Sequence, residues 1–384
     1  MCKKIGVAVA IAMVFFFLLE GICSSGYVLY QLLIPQHRIL SGFSMQYDQE
    51  LGWVSVPNFY DRNFFAPNID LRTNSRGFRA DHEFTRDVPP GKLRIICSGD
   101  SFTFGHGIGN GHTWCQQLEA IDNRLQTINM AESGYGLDQM YLRYRREGPT
   151  LDHDVHLLAF ITEDFSRLRL TRLVGYGKPL LKLRDDEIMV ENVPVPKESP
   201  LMHWLAFKPH LLRELRSVSV ASSLVDWVLP ARERLSDSPT NESCLLVDKM
   251  IEELQAMDKQ NASVLVLVFL PKMSDYNPGA GSQSWRTWLH AESAKRGFVL
   301  IDLMDDFQNL PVSMKDGMFI WPGFSQYFTE SGGHYDDQGH EWVAEQIHAK
   351  LLSVPAIAEK LKYASTAAAS QSNASLSPTP LKGK

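Results

Sequence analysis

Two short segments of this 384-residue chain bring together residue types that carry out acyl-transfer chemistry. The first is Gly99-Asp100-Ser101-Phe102, which follows the apolar run LRIICS and precedes TFGHG. A serine hydroxyl is a weak nucleophile until a base of near-neutral pKa stands within hydrogen-bond reach. The second segment, Gly333-His334-Tyr335-Asp336-Asp337-Gln338-Gly339-His340, offers such a base just ahead of a helical stretch. A serine at the carboxyl end of a parallel strand projects into the crevice where such folds bind ligands, and Gly99 lets backbone and substrate approach closely. Each segment also has a plainer reading. Ser101 suits a helix N-cap, His334 an ordinary loop, and Asp337 an N-cap, with His340 structural at the start of the helix. The serine block is not the G-x-S-x-G elbow, because Phe102 and Thr103 stand where its second glycine would come.

The elements that must position these residues alternate from Leu93 onward. LRIICSGD, LQTINMA, VHLLAFIT, SVLVLVFLP and FVLIDL read as strands. Between and after them, HTWCQQLEAIDN, LDQMYLRYRREG, CLLVDKMIEELQAMDKQ, SWRTWLHAESAKRG and DQGHEWVAEQIHAKLL read as helices. Continuous apolar strands alternating with helices require a parallel sheet covered on both faces. The fold expected is a three-layer α/β/α sandwich of about five parallel strands over residues 92–356. Residues 36–91 form an N-terminal extension of short strands and turns with no long helix. Residues 165–240 break the rhythm with a hairpin turning at Asp185-Asp186 and two apolar-rich helical candidates (201–218 and 220–235). Such an insertion reads as a lid or binding wall, as helices packed on the core, or as a membrane-facing surface. Residues 364–384 are a small-residue tail of the disordered type.

Composition narrows the partners. With 38 basic and 44 acidic residues the chain carries a net charge of −6, which argues against nucleic acid. Five cysteines without a CxxC pair exclude a zinc ribbon or dense disulfide scaffold, though Cys97 and Cys115 stay open as a pair. No metal-site or P-loop pattern occurs, so neither a metal nor a nucleotide cofactor is expected. After Lys3 and Lys4, residues 5–19 are uncharged, and past Glu20 the apolar character continues to Pro35. A bilayer core needs about 20 helical residues. Residues 1–35 therefore read as a cytoplasmic tip and single-pass anchor, with the lysines inside and the catalytic part extracytoplasmic (periplasmic in a bacterium). A cleaved signal peptide is the competing reading, but no A-x-A site follows. Glu20 fits at the membrane interface or paired with a neighbour.

Together the blocks GDSFTFG, Asn129-Met130-Ala131-Glu132-Ser133-Gly134, FITED and GGHYDDQGH resemble the SGNH/GDSL hydrolase superfamily over roughly residues 92–352. The resemblance implies a flavodoxin-like α/β/α fold and an acyl-enzyme at Ser101, with His334 as general base. It also implies oxyanion donors from the Ser101 and Gly134 backbone N–H groups. Two positions depart from the family pattern. Glu163 stands where the family has an asparagine donor, and an ionised glutamate donates nothing; Thr162 could serve instead, or Glu163 could point away. Ser331 stands where an aspartate normally orients the histidine, leaving Glu330 or a backbone carbonyl for that task. His106 and His112 are open as pocket-lining or as surface and cap residues. Asp138 and Gln139 read as caps, and Tyr135 and Trp321 as candidates to border the substrate. The expected activity is ester hydrolysis or deacylation of an O-acylated cell-surface glycan or a lipid. An O-acyltransferase using the same site, or a non-catalytic polysaccharide-binding or assembly module, are the alternatives.

Overall fold

The computed structural model describes residues 44–173, 176–197, 238–321 and 331–364, together with parts of 6–25. It opens with two antiparallel pairs, β1 (Met45–Asp48) with β2 (Gly52–Ser55) and β3 (Tyr60–Ala66) with β4 (Ile69–Arg72). The α/β unit then runs β5 (Leu93–Gly99), α1 (Ser101–Phe104), α2 (Trp114–Ile121), β6 (Leu125–Asn129), α3 (Leu137–Glu147), β7 (Val155–Phe160) and α4 (Thr162–Arg167). Two small pairs follow, β8 (Arg172–Leu173) with β9 (Tyr176–Gly177) and β10 (Leu180–Arg184) with β11 (Glu187–Glu191). The unit resumes with α5 (Asn241–Gln260), β12 (Val264–Phe269), α6 (Ala280–Arg296) and β13 (Val299–Asp302), and ends with α7 (Met304–Gln308), α8 (Val312–Asp316) and α9 (Asp337–Leu352).

Five strands form one parallel sheet in the order β6-β5-β7-β12-β13. Period-2 alternation sends neighbouring residues of each strand to opposite faces. Ile96, Leu158, Phe160, Leu267 and Phe269 pack with side chains of α3, α5 and α6. Ile95, Leu157, Ala159, Val266 and Val268 pack with those of α2 and α9. Both faces are covered, which is why the strand sequences are apolar throughout. The architecture is thus the expected three-layer α/β/α sandwich with five parallel strands. The strand order reverses direction between β5 and β7, and the crevice outside their carboxyl ends is where such sheets bind ligands.

The N-terminal strands share the core. Leu51, Trp53 and Phe78 are buried in the same cluster as Met130, Tyr135 and Tyr141. Trp53 donates its indole N–H to Ser133 O at 2.9 Å, and Tyr135 returns its hydroxyl to Trp53 O at 2.6 Å. Tyr135 is therefore a buried structural residue and does not border a substrate. The hairpin turns where expected: Arg184 pairs with Glu187, and Asp185 and Asp186 have φ of 50° and 63°. Two consecutive left-handed residues match the twist of a two-residue hairpin. Asp138 does more than cap α3, because it is buried and ion-paired with Lys178. Cys97 and Cys115 are both buried and free.

The described residues among 6–25 are helical, and the Ser24 hydroxyl donates to the Glu20 carboxylate at 3.3 Å. No helix among the described residues is long and apolar enough to cross a membrane. The two helical candidates between 201 and 235, Glu330, and the tail beyond residue 364 lie outside the described residues.

Candidate active site

The segment after β5 turns sharply because it starts from a glycine. A Cβ on Gly99 would sit 2.1 Å from Thr103 Oγ1 and 2.8 Å from Ala159 O, so the close contact with β7 admits only glycine. Asp100 then caps α1, its Oδ1 accepting from Phe102 N at 2.9 Å. Ser101 is thereby the first helical residue and not the cap. Its N–H has no acceptor among the described residues, nor has that of Gly134, which needs its left-handed φ of 81°.

His334 arrives from the other end of the chain. Ile320 N donates to His334 O at 2.8 Å and Gly333 N to Ile320 O at 2.7 Å, which clamps the loop before α9. Asp336, not Asp337, caps that helix, accepting from Gly339 N at 2.9 Å. Asp337 instead meets the exposed His112 at 2.9 Å. His340 is buried and accepts from Trp114 N at 3.1 Å, a structural role.

These placements bring His334 Nε2 to 2.8 Å from Ser101 Oγ. The other ring nitrogen, Nδ1, lies 3.1 Å from Ser331 O. A carbonyl only accepts, so Nδ1 carries the proton and Nε2 presents its lone pair to the serine hydroxyl. The backbone of Ser331 thus orients the ring where the resemblance expects a carboxylate. The Ser331 hydroxyl is buried without a hydrogen-bond partner among the described residues. Burial holds the His334 pKa down at about 4, assisted by the Arg167 cation and opposed by the Ser331 carbonyl bond.

Arg167 is a site residue that the motif comparison missed. Its Nη1 donates to Asp164 Oδ1 at 2.5 Å and Tyr135 O at 2.7 Å, and lies 3.5 Å from Asp100 Oδ2. Asp100 Oδ2 in turn stands 3.5 Å from Ser101 Oγ. Burial raises the pKa of both carboxyls, and Arg167 works against that rise. The i, i+3 spacing of Asp164 and Arg167 on α4 was the available sequence signal. His106 is the second addition. It is buried with its ring 5.1 Å from that of His334, and Ser133 Oγ lies 3.3 Å from its Nδ1. Its pKa is pushed well down by burial, so it too stays neutral.

At the Glu163 departure, both candidate side chains for the third donor are engaged. Glu163 Oε1 is bound by Lys272 Nζ, and the Thr162 hydroxyl is 2.9 Å from that of Ser282. Neither is held free to donate to an oxyanion in this arrangement.

The loop that carries Ser101 is held from below by Arg79, which is wholly buried. Its guanidinium donates to Phe104 O at 2.7 Å, to Gly105 O and Ile108 O, and through Nε to Asn110 Oδ1 at 3.0 Å. Burial lowers its pKa to about 9.

No family model matches the chain, and no curated protein does. Among solved structures, a member of the lipolytic G-D-S-L family from Veillonella parvula aligns at 13% identity with a TM-score of 0.38. The alignment covers 68% of this chain and 100% of that one. A lipase/acylhydrolase from Enterococcus faecalis gives 13%, 0.38, and coverage of 68% and 96%. A catalytic mutant of an acetylxylan esterase from Geobacillus stearothermophilus gives 8%, 0.38, and coverage of 67% and 93%. At these TM-scores the superpositions are loose, and the residue assignments stand on the distances given above.

Proposed function

We propose that the chain is a serine-dependent carboxylic ester hydrolase of the SGNH/GDSL type, acting on O-acyl esters of a glycan or lipid. The observation that carries this reading is the 2.8 Å contact of Ser101 Oγ with a His334 Nε2 made an acceptor by the Ser331 carbonyl. In the forward step Ser101 Oγ attacks the ester carbonyl carbon while His334 Nε2 takes the hydroxyl proton. The oxyanion of the tetrahedral intermediate is met by the Ser101 and Gly134 N–H groups. Collapse breaks the C–O bond, the leaving alcohol takes the proton from His334, and acyl-Ser101 remains. Water then attacks with His334 again as base, releasing the carboxylic acid and restoring the serine. Two oxyanion donors in place of three lower turnover by about 10²–10³ without abolishing it.

In the same reading residues 1–35 hold the site at the extracytoplasmic face of a membrane, close to acylated surface glycans and to lipid esters. The apolar run after Lys3 and Lys4 supports this part.

The test uses the detergent-solubilised full chain with p-nitrophenyl acetate and a fluorophosphonate label, beside Ser101→Ala. The expected outcome is turnover and labelling in the parent, with turnover reduced by roughly 10⁴-fold or more in the variant and labelling lost. A folded parent that neither turns over the ester nor takes the label overturns the reading and favours a non-catalytic module. Acyl transfer to an added sugar in preference to water would make the protein a transferase.

A further inference from the structure

We propose that a polar cleft beside the Ser101–His334 pair is the subsite for the alcohol portion of the substrate, and that this portion is an uncharged sugar. The inference deepens the ester-hydrolase reading and rests on it.

The cleft, about 270 Å³ in volume, opens beyond the carboxyl ends of β7 and β12. Its walls include Thr162, Lys272, Ser274, Asp275, Asn277 and Ser282, with Ser238 and glycines beside them. The position follows from the sheet. Ser101 lies two residues past β5, Thr162 two past β7 and Lys272 three past β12, and these strands are consecutive neighbours. Strands lie ~4.8 Å apart; Thr162 follows the strand next to the one that leads to Ser101, and Lys272 follows the strand beyond it. Its volume is just below the ~300–1,000 Å³ typical of small-molecule sites, which suits a single ring.

The floor is built and fixed. Asp275 is 1% exposed, and its Oδ1 accepts from the Ser282 hydroxyl at 3.1 Å while Oδ2 accepts from Lys272 N at 3.0 Å. The Ser282 hydroxyl is in turn 2.9 Å from that of Thr162. A row of buried polar side chains is costly to maintain unless each is paired. Here they are paired with one another and aligned along a cavity. Such walls give nothing to a lipid chain, whose affinity rests on ~0.8 kcal/mol per methylene buried against apolar surface. They match a ligand with hydroxyls on every side. The ligand should also be uncharged: Glu163 neutralises Lys272 at one wall, and the Asp275 carboxyl would repel an anion at the other.

An exposed aromatic side chain is tied to the same segments. Trp321 is 47% exposed, and its indole N–H donates to Asp316 O at 2.9 Å. Asp316 Oδ1 accepts the Tyr276 hydroxyl at 2.8 Å, and Tyr276 stands between the cleft residues Asp275 and Asn277. Residue 320, immediately before the tryptophan, is hydrogen-bonded to the backbone of His334. The exposed indole is thus linked through Asp316 to Tyr276 and through residue 320 to the His334 loop, and its flat apolar face can stack on the C–H face of a sugar while its polar edge stays bonded.

The test again uses the solubilised full chain. Hydrolysis of methyl 6-O-acetyl-α-D-glucopyranoside is compared with that of p-nitrophenyl acetate and p-nitrophenyl octanoate, in the parent and in Ser274→Leu/Asn277→Leu. Both positions are solvent-exposed, so the double variant should fold, and Trp321→Ala is a second variant outside the cleft walls. The kcat/KM ratio of acetyl glucoside to p-nitrophenyl acetate should fall at least tenfold in the double variant and several-fold in Trp321→Ala. An unchanged ratio, or a parent that hydrolyses the octanoate and ignores the glucoside, overturns the subsite. Saturation-transfer NMR of the same glucoside on Ser101→Ala separates the two readings. Binding that Ser274→Leu/Asn277→Leu removes, with no ester hydrolysis by the parent, retains the subsite and sinks the hydrolase. Hydrolysis of p-nitrophenyl acetate without glucoside binding does the reverse.

Discussion

At the residue scale, the proposed base His334 is defined by which groups face it. A carbonyl at 3.1 Å from Nδ1 fixes the tautomer of His334 but lends no negative charge to stabilise an imidazolium. In triad enzymes, loss of a correct acid partner costs about 10⁴ in turnover, so a slow esterase is the consistent expectation. The charge that does stand near the ring is positive, and with burial it holds the pKa at about 4. The base is active when neutral, so kcat/KM should stay level from neutral pH down to about pH 5 and fall through about pH 4. Removing the cation in Arg167→Gln lets the ring bind a proton more readily, and the acid limb should move upward from there. A pH–rate profile of parent and variant checks both; an acid limb near 6.5 in the parent would contradict the buried, cation-flanked base. The variant also leaves Asp164 and Asp100 without their partner, at a cost of about 3–5 kcal/mol, so thermal unfolding should be followed beside it.

At the scale of elements, the loop of the proposed nucleophile Ser101 depends on a clamp that lies outside the sheet. Four short segments meet at Arg79: the C-terminal end of α1, the loop through Gly105 and Ile108, Asn110, and the stretch between β4 and β5 that carries the arginine itself. No carboxylate bonds this guanidinium among the described residues; backbone carbonyls do, and each would be left buried and unsatisfied without it. An unpaired buried polar group costs about 1–3 kcal/mol. Arg79→Met should therefore lower the melting temperature and, by freeing the Ser101 loop, lower kcat by about 10²-fold. Arg79→Lys keeps a donor but not the planar fork, and should recover stability more than kcat. The measurement is kcat and KM on p-nitrophenyl acetate beside a thermal melt. A kcat unchanged in a destabilised Arg79→Met would show that the clamp serves folding alone. In the sequence Arg79 stood in an irregular polar stretch with no periodicity, and all but one of its partners are backbone atoms, which composition cannot display.

Across the whole molecule, the N-terminal strands and the α/β unit make one body. Leu51, Trp53 and Phe78 are at most 1% exposed and share the core of the helix layer formed by α3, α5 and α6. Large apolar side chains contribute roughly 1.5–3 kcal/mol each when buried, and a domain's net stability is only about 5–15 kcal/mol. Ser55 also donates two hydrogen bonds, at 2.6 and 2.8 Å, to the buried Glu132. A chain shortened to start at residue 44 should fold and keep its activity, whereas one starting at residue 92 should be insoluble or molten. Circular dichroism melts of the two, with the ester assay, decide this. A cooperative melt from the shorter chain would show the extension to be dispensable.

Much of this was written locally. Apolar runs of six or seven residues separated by helical periodicity specify strands buried on both faces, and so the parallel sheet and its layers. Asp185-Asp186 specified its own turn, because two adjacent residues tolerant of left-handed backbone fix a hairpin without outside help. Ser101, Gly134 and His334 were visible as residue types in order, since each needs only its own loop to be recognised. The Ser331 carbonyl lies only three residues before His334, and a backbone carbonyl was one of the two partners the sequence left open. The other surrounding groups were not visible. The Arg167 cation, His106 beside His334 and Lys272 on Glu163 come from segments far apart in the sequence, which meet only because β5, β7 and β12 lie side by side in the sheet. The sequence by itself determined the layers and singled out Ser101 and His334 as the proposed pair, through local periodicity and loop chemistry. The tertiary structure alone decided the charge around His334 and the polarity of the cleft, because these depend on distance and burial between elements that the chain order keeps apart.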